Sequence, residues 1–244
     1  GDHMNRFFVD PKAIQSEDVL FDAEQSRQIL RVLRMKPGER CTALDNQGNE
    51  LTVELVSCES DVCRARIVER HKASEPRIQL LMILALTQRD KFEWMLQKCT
   101  EVGVSVFLPM VTSRTLVQDP ADTMSKYDRW RSILREAAEQ CGRGKIPALL
   151  PAMSFGRAVE FSGREYGVRL LPWEGERQSH IKTHLREAQP ANTAVMIGPE
   201  GGFSTEEAGA AINAGFKPVT LGERILRMET AAVVAGALLM YEWG

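Results

Sequence analysis

Two glycine-containing turns near the end of the chain have residue types that suit the binding of a flat ligand. The first, Gly198-Pro199-Glu200-Gly201-Gly202, follows the apolar segment Val195-Met196-Ile197. The second, Leu221-Gly222-Glu223-Arg224, follows Val219-Thr220. Glycine has no side chain, so at such turns backbone N–H and C=O groups can approach a ligand closely.

Neither turn matches the commonest nucleotide-binding motifs. No Lys-Ser or Lys-Thr pair follows the first turn, so it is not a P-loop, and the chain has no Gly-x-Gly-x-x-Gly. A single tight turn between a strand and a helix needs no ligand. Two such turns flanked by Glu200, Arg224, Arg227 and Glu229 favour a ligand site, because in a parallel sheet both lie at the carboxyl ends of strands.

The elements that must position these turns alternate in type along the second half of the chain. Apolar runs predict strands over 78–86, 104–110, 168–171, 193–197 and 217–221. Helical periodicity predicts helices over 91–102, 122–140, 206–214 and 230–243. Gly103 is expected to cap the C-terminus of the first helix, and Trp94 and Trp130 are expected in the core. Such alternation is typical of a parallel sheet covered on both faces.

The last of these helices contains the apolar run 231–240, which is rich in small residues. A helix that is apolar nearly all round is expected to be buried on every side. That favours either a deep core position or a subunit interface.

The first half has a different pattern. Alternating segments over 50–56 and 62–68, with a turn cluster at 45–49, predict half-buried strands and hairpins of a small β-barrel or open sheet. Ser74-Glu75-Pro76 marks the expected linker between the halves.

One helix is predicted within this half, from a cap at Asp22 to Met35, with Pro37-Gly38 ending it. Arg27, Arg31 and Arg34 would then share one face, while Ile29, Leu30, Val32 and Leu33 would supply the packing surface. The basic stripe suits contacts to RNA phosphates, and it equally suits a solvated helix face.

Composition excludes several classes of protein. A net charge of −2 gives no general attraction to nucleic acid, so an RNA-binding surface would have to be local. There is no apolar run of membrane-spanning length and no signal peptide after Met4, so we expect a cytoplasmic protein. We set aside Gly1-Asp2-His3 as the remnant of a tag.

Cysteine and histidine spacing argues against disulfides and metals. The five cysteines are scattered and form no Cys-x-x-Cys, which argues against a disulfide framework and a structural zinc site. His180 and His184 are four residues apart, but no third ligand is nearby, so we expect a solvated helix face and no metal.

The two turns, taken as a pair, closely resemble those of the RsmE family, which are 16S rRNA uridine-N3 methyltransferases of the SPOUT class. The matching residues include 197–203 and Leu221-Gly222-x-Arg224-Ile225-Leu226-Arg227-x-Glu229-Thr230-Ala231. Two further short matches are Arg31-Val32-Leu33-Arg34 and Glu139-Gln140-Cys141-Gly142-Arg143. A longer match is Lys91-x-Glu93-x-x-x-Gln97-Lys98-x-x-Glu101-Val102-Gly103-Val104. Met228 departs from the pattern, since the family usually has threonine at that position.

This resemblance implies an α/β protein of two domains. A small PUA-like β-barrel that binds RNA would comprise residues 4–74, and a SPOUT domain with a parallel sheet and a deep trefoil knot would comprise residues 75–244. It implies that S-adenosylmethionine binds in the knot at a homodimer interface and leaves as S-adenosylhomocysteine. The implied substrate is 16S rRNA of the small ribosomal subunit.

The resemblance also assigns candidate site residues. The expected cofactor-binding residues are Leu171, Ile197, Gly198, Pro199, Glu200, Gly201, Gly202, Leu221, Gly222, Ile225, Leu226, Met228, Thr230 and Ala231. The expected RNA-binding residues are Arg6, Arg27, Arg31 and Arg34. The expected catalytic residues are Arg114, Glu139, Arg143, Arg227 and Glu229.

The chemistry of the implied reaction raises the question of a base. Uridine N3 carries a proton at neutral pH and must lose it before or during attack on the methyl group. Glu229 or Glu200 could accept that proton. Each could equally cap a turn or pair with an arginine.

Overall fold

The computed structural model describes residues 4–59 and 62–244. Residues 1–3, which we interpreted as a tag remnant, lie outside the described residues. The chain forms two compact units. The first contains the residues up to Glu75 together with Ala138–Ile146, and the second contains Pro76–Ala137 and Pro147–Gly244.

The first unit is built on a six-stranded sheet with the order β1-β4-β5-β6-β3-β2. Only the β1–β4 pair is parallel. Its strands are β1 (Arg6–Phe8), β2 (Ile14–Gln15), β3 (Asp18–Leu20), β4 (Arg40–Leu44), β5 (Asn49–Glu59) and β6 (Val62–Lys72). The predicted strands over 50–56 and 62–68 are confirmed as the antiparallel β5–β6 pair. Their alternate residues, such as Val53 and Ala65, are fully buried in the core of this unit.

The helix of the first unit is shorter than predicted. Asp22 caps α1 (Ala23–Arg27) in a capping box with Gln25, as expected, but the chain continues as a π-helix over Gln28–Val32 and stops there. Arg34 has φ 54°, in the left-handed region, so it lies beyond the helix. The prediction that it shares a helical face with Arg27 and Arg31 is therefore wrong.

The packing prediction for this helix is also only half right. Ile29 is fully buried and Leu33 packs against the core, but Leu30 is 36% exposed and Val32 is 72% exposed. The wider π-helical turn changes the angular spacing of side chains, which an α-helical period does not anticipate.

The first unit contains one disulfide among the described residues, which the sequence argument had excluded. Cys58 and Cys63 are directly opposite each other on β5 and β6 and are bonded. The cysteine count and the absence of Cys-x-x-Cys did not reveal this pair, because strand register brings the two residues together. Among the described residues, Cys41, Cys99 and Cys141 are not disulfide-bonded.

The segment 138–146 is tied to the first unit by buried charges. Arg143 is 7% exposed and its guanidinium pairs with the Glu75 carboxylate at 2.8 Å. The same carboxylate accepts the backbone N–H groups of Gly144 and Lys145 at 2.9 and 3.1 Å. Glu139 accepts the backbone N–H of Phe8 at 2.9 Å. These contacts fix the chain around Gly142 without a regular element.

The second unit contains a seven-stranded sheet in which every pair is parallel, as predicted. The strand order is β10-β8-β7-β12-β11-β13, and β9 also pairs with β8. The strands are β7 (Leu80–Ala85), β8 (Val106–Val111), β9 (Ala148–Leu149), β10 (Met153–Ser154), β11 (Val168–Pro172), β12 (Thr193–Ile197) and β13 (Lys217–Val219). All six residues of β7 and all five of β12 are buried, as suits central strands.

Within the described residues, six α-helices accompany this sheet. They are α2 (Arg89–Val102), α3 (Tyr127–Cys141), α4 (Phe155–Glu165), α5 (Ile181–Glu187), α6 (Thr205–Asn213) and α7 (Met228–Trp243). A 3-10 helix over Pro120–Lys126 precedes α3. Gly103 ends α2 at φ 111°, as predicted. The sequence prediction missed α4. It expected a helix face at His180 and His184, and the structure places His184 in α5 and His180 at the N-cap of that helix. The prediction placed both tryptophans in the core, but only Trp130 is there, at 3% exposure, and Trp94 is 42% exposed.

Within this chain the last helix, α7, is not buried on every side, so it does not occupy the deep core position that was one of its two predicted alternatives. One face, which includes Ala232, Ala235, Gly236 and Leu239, is buried. Tyr241 on another face is 86% exposed. None of the helices among the described residues has the length and apolar character that a membrane crossing requires.

The Glu75 contacts generate a prediction on stability. Replacing Glu75 by alanine leaves the buried Arg143 guanidinium without its carboxylate, which is expected to cost about 3 kcal/mol of unfolding free energy. Urea unfolding measures the change. Glu59→Ala, which removes an exposed carboxylate from the same unit, is the control. Equal stability of the two variants would contradict this role of Glu75.

Candidate functional site

A cavity of about 670 Å³ lies in the second unit, where the segments that follow four adjacent strands meet. Those strands are β7, β12, β11 and β13, in that order across the sheet. Because all are parallel, their carboxyl ends lie at one edge, where open α/β sheets bind ligands. The volume is within the range of roughly 300–1,000 Å³ typical of small-molecule sites.

The first glycine turn forms one wall of this cavity. It leaves β12 at Ile197 and passes through Gly202, which has φ 68°. It ends at Ser204, whose side chain caps α6 in a capping box with Glu207. A Cβ at Gly198 would lie 3.0 Å from the Phe203 ring, so the ring packs directly on the turn. The sequence therefore makes a compact turn with an exposed backbone.

Glu200 at this turn is held by the segment that follows β7. Its carboxylate accepts hydrogen bonds from the Thr87 hydroxyl and from the Lys91 ammonium, the latter at 3.2 Å. Partial burial acts to raise the pKa of Glu200, but these donors outweigh it and the pKa is lowered. This carboxylate is thus charged and already bonded, which suits a structural role.

Arg114 supports the same turn from the segment after β8. Its guanidinium donates to the carbonyl of Gly201. Glu207 accepts the backbone N–H of Ser113 at 2.8 Å through one oxygen and that of Ser204 at 3.0 Å through the other. Arg114 does not line the cavity, so in this chain it clamps the turn.

The second glycine turn forms the opposite wall. Thr220 receives the N–H of Gly222 on its hydroxyl at 3.2 Å, and Gly222 has φ 138°. The chain then runs along the cavity to Arg227 and enters α7. Met228, the residue that departs from the family pattern, is 6% exposed and lines the cavity at the first position of this helix.

Glu229 is the next residue of α7 and also lines the cavity. Its Oε2 atom is inaccessible to solvent and has no hydrogen-bond partner among the described residues. Buried carboxylate oxygens are almost always paired, so this atom requires an explanation.

A third wall extends over residues 172–180, of which the sequence predicted only the start, as the end of the strand that contains Leu171. Trp173 lines the cavity, and its ring folds over Gly175, where a Cβ would lie 2.6 Å from the ring. Glu176 accepts the N–H groups of Gln178 and Ser179 at 2.7 and 2.9 Å, which lowers its pKa. This wall could have been predicted from the parallel sheet, because the segment that follows β11 begins at the same edge as the two glycine turns.

The structure brings most of the predicted cofactor residues together. Those that line the cavity are Ile197, Gly198, Pro199, Glu200, Gly202, Leu221, Gly222, Ile225, Leu226, Met228 and Ala231. Leu171 is fully buried and the lining begins at Pro172 instead. Gly201 and Thr230 are exposed and do not line the cavity.

Only two of the five predicted catalytic residues line the cavity. Arg227 and Glu229 line the cavity, whereas Arg114 clamps the first turn from outside. Glu139 and Arg143 belong to the first unit, where their contacts are with Phe8 and Glu75. Motif matching found these residues but not their contacts.

The predicted RNA-binding arginines all lie in the first unit. Arg27, Arg31 and Arg34 are exposed. Arg6 is partly buried and its guanidinium packs over Gly142, which has φ 79°. Among the described residues, no group of three or more His, Cys, Asp or Glu side chains is arranged to hold a metal ion.

Charges of both signs surround the cavity. Its cationic side chains are Lys91, Arg177, Arg224 and Arg227, and its carboxylates are Glu174, Glu176, Glu200, Glu223 and Glu229. Exposed turn backbone and an aromatic ring, Trp173, complete the lining. The arrangement suits a ligand with a flat ring and separate positive and negative groups.

Comparisons with known proteins agree with this chemistry. Residues 74–240 match the model of an RNA methyltransferase domain. A ribosomal RNA small subunit methyltransferase E from Synechocystis is 32% identical, covering 94% of this chain and 75% of the relative. The enzyme of that name from Bacillus subtilis is 28% identical over 98% of this chain and 97% of its own.

Solved structures extend the similarity to three dimensions. The ribosomal RNA small subunit methyltransferase E of Neisseria gonorrhoeae, bound to S-adenosyl methionine, superposes with a TM-score of 0.87 at 30% identity, covering 99% of both chains. A putative methyltransferase of Legionella pneumophila with the same bound cofactor gives a TM-score of 0.86 at 28% identity, covering 98% of both. The chain therefore belongs to the ribosomal RNA small subunit methyltransferase E family of RNA methyltransferases.

Proposed function

We propose that this protein transfers a methyl group from S-adenosylmethionine to N3 of a uridine in 16S rRNA of the small ribosomal subunit. The observation that carries the proposal is the cavity between the two glycine turns, at the carboxyl ends of four adjacent parallel strands. Two structural relatives are described with this cofactor bound, and the names of the sequence relatives specify small-subunit rRNA. Such a substrate would place the protein in the cytoplasm.

The residues present fit S-adenosylmethionine. Its adenine edge needs backbone donors and acceptors, which the turns at 198–202 and 221–226 offer. Its ammonium and carboxylate need side chains of opposite charge, and the cavity has both.

In the bound state the cofactor supplies a methyl group already activated on a sulfonium. The residues of this chain have the tasks of orienting the reactants, excluding water and stabilising charge on the uracil. Arg227, at the N-cap of α7 and on the cavity lining, is suited to stabilise a uracil that loses its N3 proton. Arg114 and Glu207 keep the first turn in place.

The finer architecture follows the same family. We assign residues 4–74 to a PUA-like β-barrel that binds RNA, and residues 75–244 to a SPOUT domain whose cofactor turns belong to a deep trefoil knot. Support comes from the six-stranded sheet of the first unit and from the parallel order β7-β12-β11-β13 of the second.

The working form is proposed to be a homodimer that uses the outer face of α7. In the single chain Val233, Val234 and Leu238 are only partly buried, and Tyr241 is exposed. A second copy would cover these apolar side chains, which would explain a helix that is apolar nearly all round.

The RNA is proposed to contact the arginines of the first unit. Arg27, Arg31 and Arg34 are exposed, and no carboxylate within the described residues forms a salt bridge with any of them. Exposed Leu30 and Val32 lie between them in the chain. Arginines without a carboxylate partner among the described residues provide the local positive charge that phosphate contacts need on a protein of net charge −2.

Nucleoside mass spectrometry of rRNA tests the proposed reaction. Small-subunit rRNA from cells that lack the gene should lack one N3-methyluridine and regain it on treatment with the protein and S-adenosylmethionine. A full complement of N3-methyluridine in the untreated rRNA, or a different methylated nucleoside after treatment, would overturn the proposal.

The arginine contacts give a prediction of their own. Arg31→Ala should weaken RNA binding and reduce the slope of log K against log salt by about 1, because one phosphate contact is lost. Affinity for S-adenosylhomocysteine should not change. Filter binding and calorimetry measure the two quantities, with Arg157→Ala on exposed α4 as the matched control. Equal loss of RNA and cofactor binding would contradict an RNA contact.

A further inference from the structure

The carboxylates of the cavity differ in what they already bind. The Glu200 carboxylate is bonded to Thr87 and Lys91, and the Glu176 carboxylate caps its own turn. Both have lowered pKa values, so neither is suited to hold a proton. Glu174 and Glu223 are exposed to solvent.

Glu229 is different from these four carboxylates. It is partly buried, it lines the cavity, and its Oε2 has neither water access nor a donor among the described residues. A buried carboxylate oxygen without a donor is costly in the charged form. A ligand in the cavity that donates a hydrogen to this carboxylate supplies what the described residues do not.

The surroundings of Glu229 leave its carboxylate available to such a donor. It is the second residue of α7, where the helix N-terminus favours a negative charge before the proton arrives. The cationic and titratable groups on the same cavity are Lys91, Arg177, His180, Arg224 and Arg227, and within the described residues none of them forms a salt bridge with Glu229. The carboxylate is therefore not committed to a partner.

We propose that Glu229 is the general base that removes the N3 proton of the target uracil. This inference rests on the proposed function, and it specifies the residue that makes the imide nitrogen nucleophilic. N3 gives its proton to the Glu229 carboxylate and its electron pair to the methyl carbon. The bond from that carbon to sulfur breaks with its pair left on sulfur, which yields S-adenosylhomocysteine. Release of the proton from Glu229 to solvent restores the site.

The test changes both the proposed base, Glu229, and the acidity of the uracil N3 proton that it removes. Small-subunit particles are reconstituted from transcribed rRNA that carries either uridine or 5-fluorouridine, whose N3 proton is more acidic. On uridine RNA, Glu229→Gln should lower the single-turnover rate by about 10²- to 10⁴-fold. On 5-fluorouridine RNA the loss should shrink by about tenfold or more, and it should also shrink as pH rises, because the N3 proton then leaves without help.

Glu206→Gln is the matched control. Glu206 is likewise the second residue of a helix, α6, but it is exposed and does not line the cavity. Glu206→Gln therefore shows what the loss of a charge at a helix N-terminus does when the proposed base is still present. Glu229→Asp, which keeps a carboxylate, should retain part of the rate and its dependence on pH.

Calorimetry with S-adenosylhomocysteine supplies a measurement that does not depend on turnover. Glu229→Gln should bind it as the unchanged protein does. An equal rate loss on both RNAs would assign Glu229 to positioning, and a large loss of S-adenosylhomocysteine affinity would assign it to the cofactor; either result overturns the proposal. Failure of the unchanged protein to methylate either RNA would instead reject the proposed function.

Discussion

The parallel pairing of β7, β12, β11 and β13 is the constraint on which the site depends. Parallel hydrogen bonding places four carboxyl ends side by side, so segments distant in sequence meet at one edge. The buried residues of β7 and β12 hold that edge rigid. The sheet therefore sets the positions of the cavity walls, and the residues of those walls are available to contact a ligand.

Carboxylates then shape those walls by binding backbone and side-chain donors. Glu200 joins the first turn to the segment after β7, and Glu207 joins it to the segment after β8. Glu176 organises the third wall. Each uses a carboxylate oxygen to satisfy donors that a loop would otherwise leave to water. Against this background the Oε2 of Glu229, which has no hydrogen-bond partner among the described residues, is an exception, and exceptions of this kind are characteristic of functional groups.

How much of this could be predicted from the sequence depends on the range of the interaction. Local patterns were sufficient for the parallel sheet, the cap at Asp22 and the glycine at Gly103. They failed where distant contacts decide: the Cys58–Cys63 bond depends on strand register, and the left-handed Arg34 follows a π-helical turn. The pairing of Arg143 with Glu75 spans 68 residues, so the motif identified the arginine but not its partner.

The same distinction applies to the site. Eleven of the fourteen expected cofactor residues line the cavity, because the two turns match a known pattern. The third wall with Trp173 has no such pattern and was missed apart from its neighbour Leu171. Whether a residue between these turns faces the cavity or the core depends on strand ends that sequence locates only approximately.

Calorimetric titration of S-adenosylhomocysteine into Gly175→Ala tests the central claim most directly. The added Cβ would lie 2.6 Å from the Trp173 ring and would push it from the wall of the cavity. If the cavity is the cofactor site, affinity should fall about tenfold or more, equivalent to roughly 1.4 kcal/mol. Gly156→Ala, where no atom lies within 4 Å of the new Cβ, should leave the affinity unchanged. Unchanged affinity in Gly175→Ala, with the ring displaced, would contradict the assignment of this cavity to the cofactor.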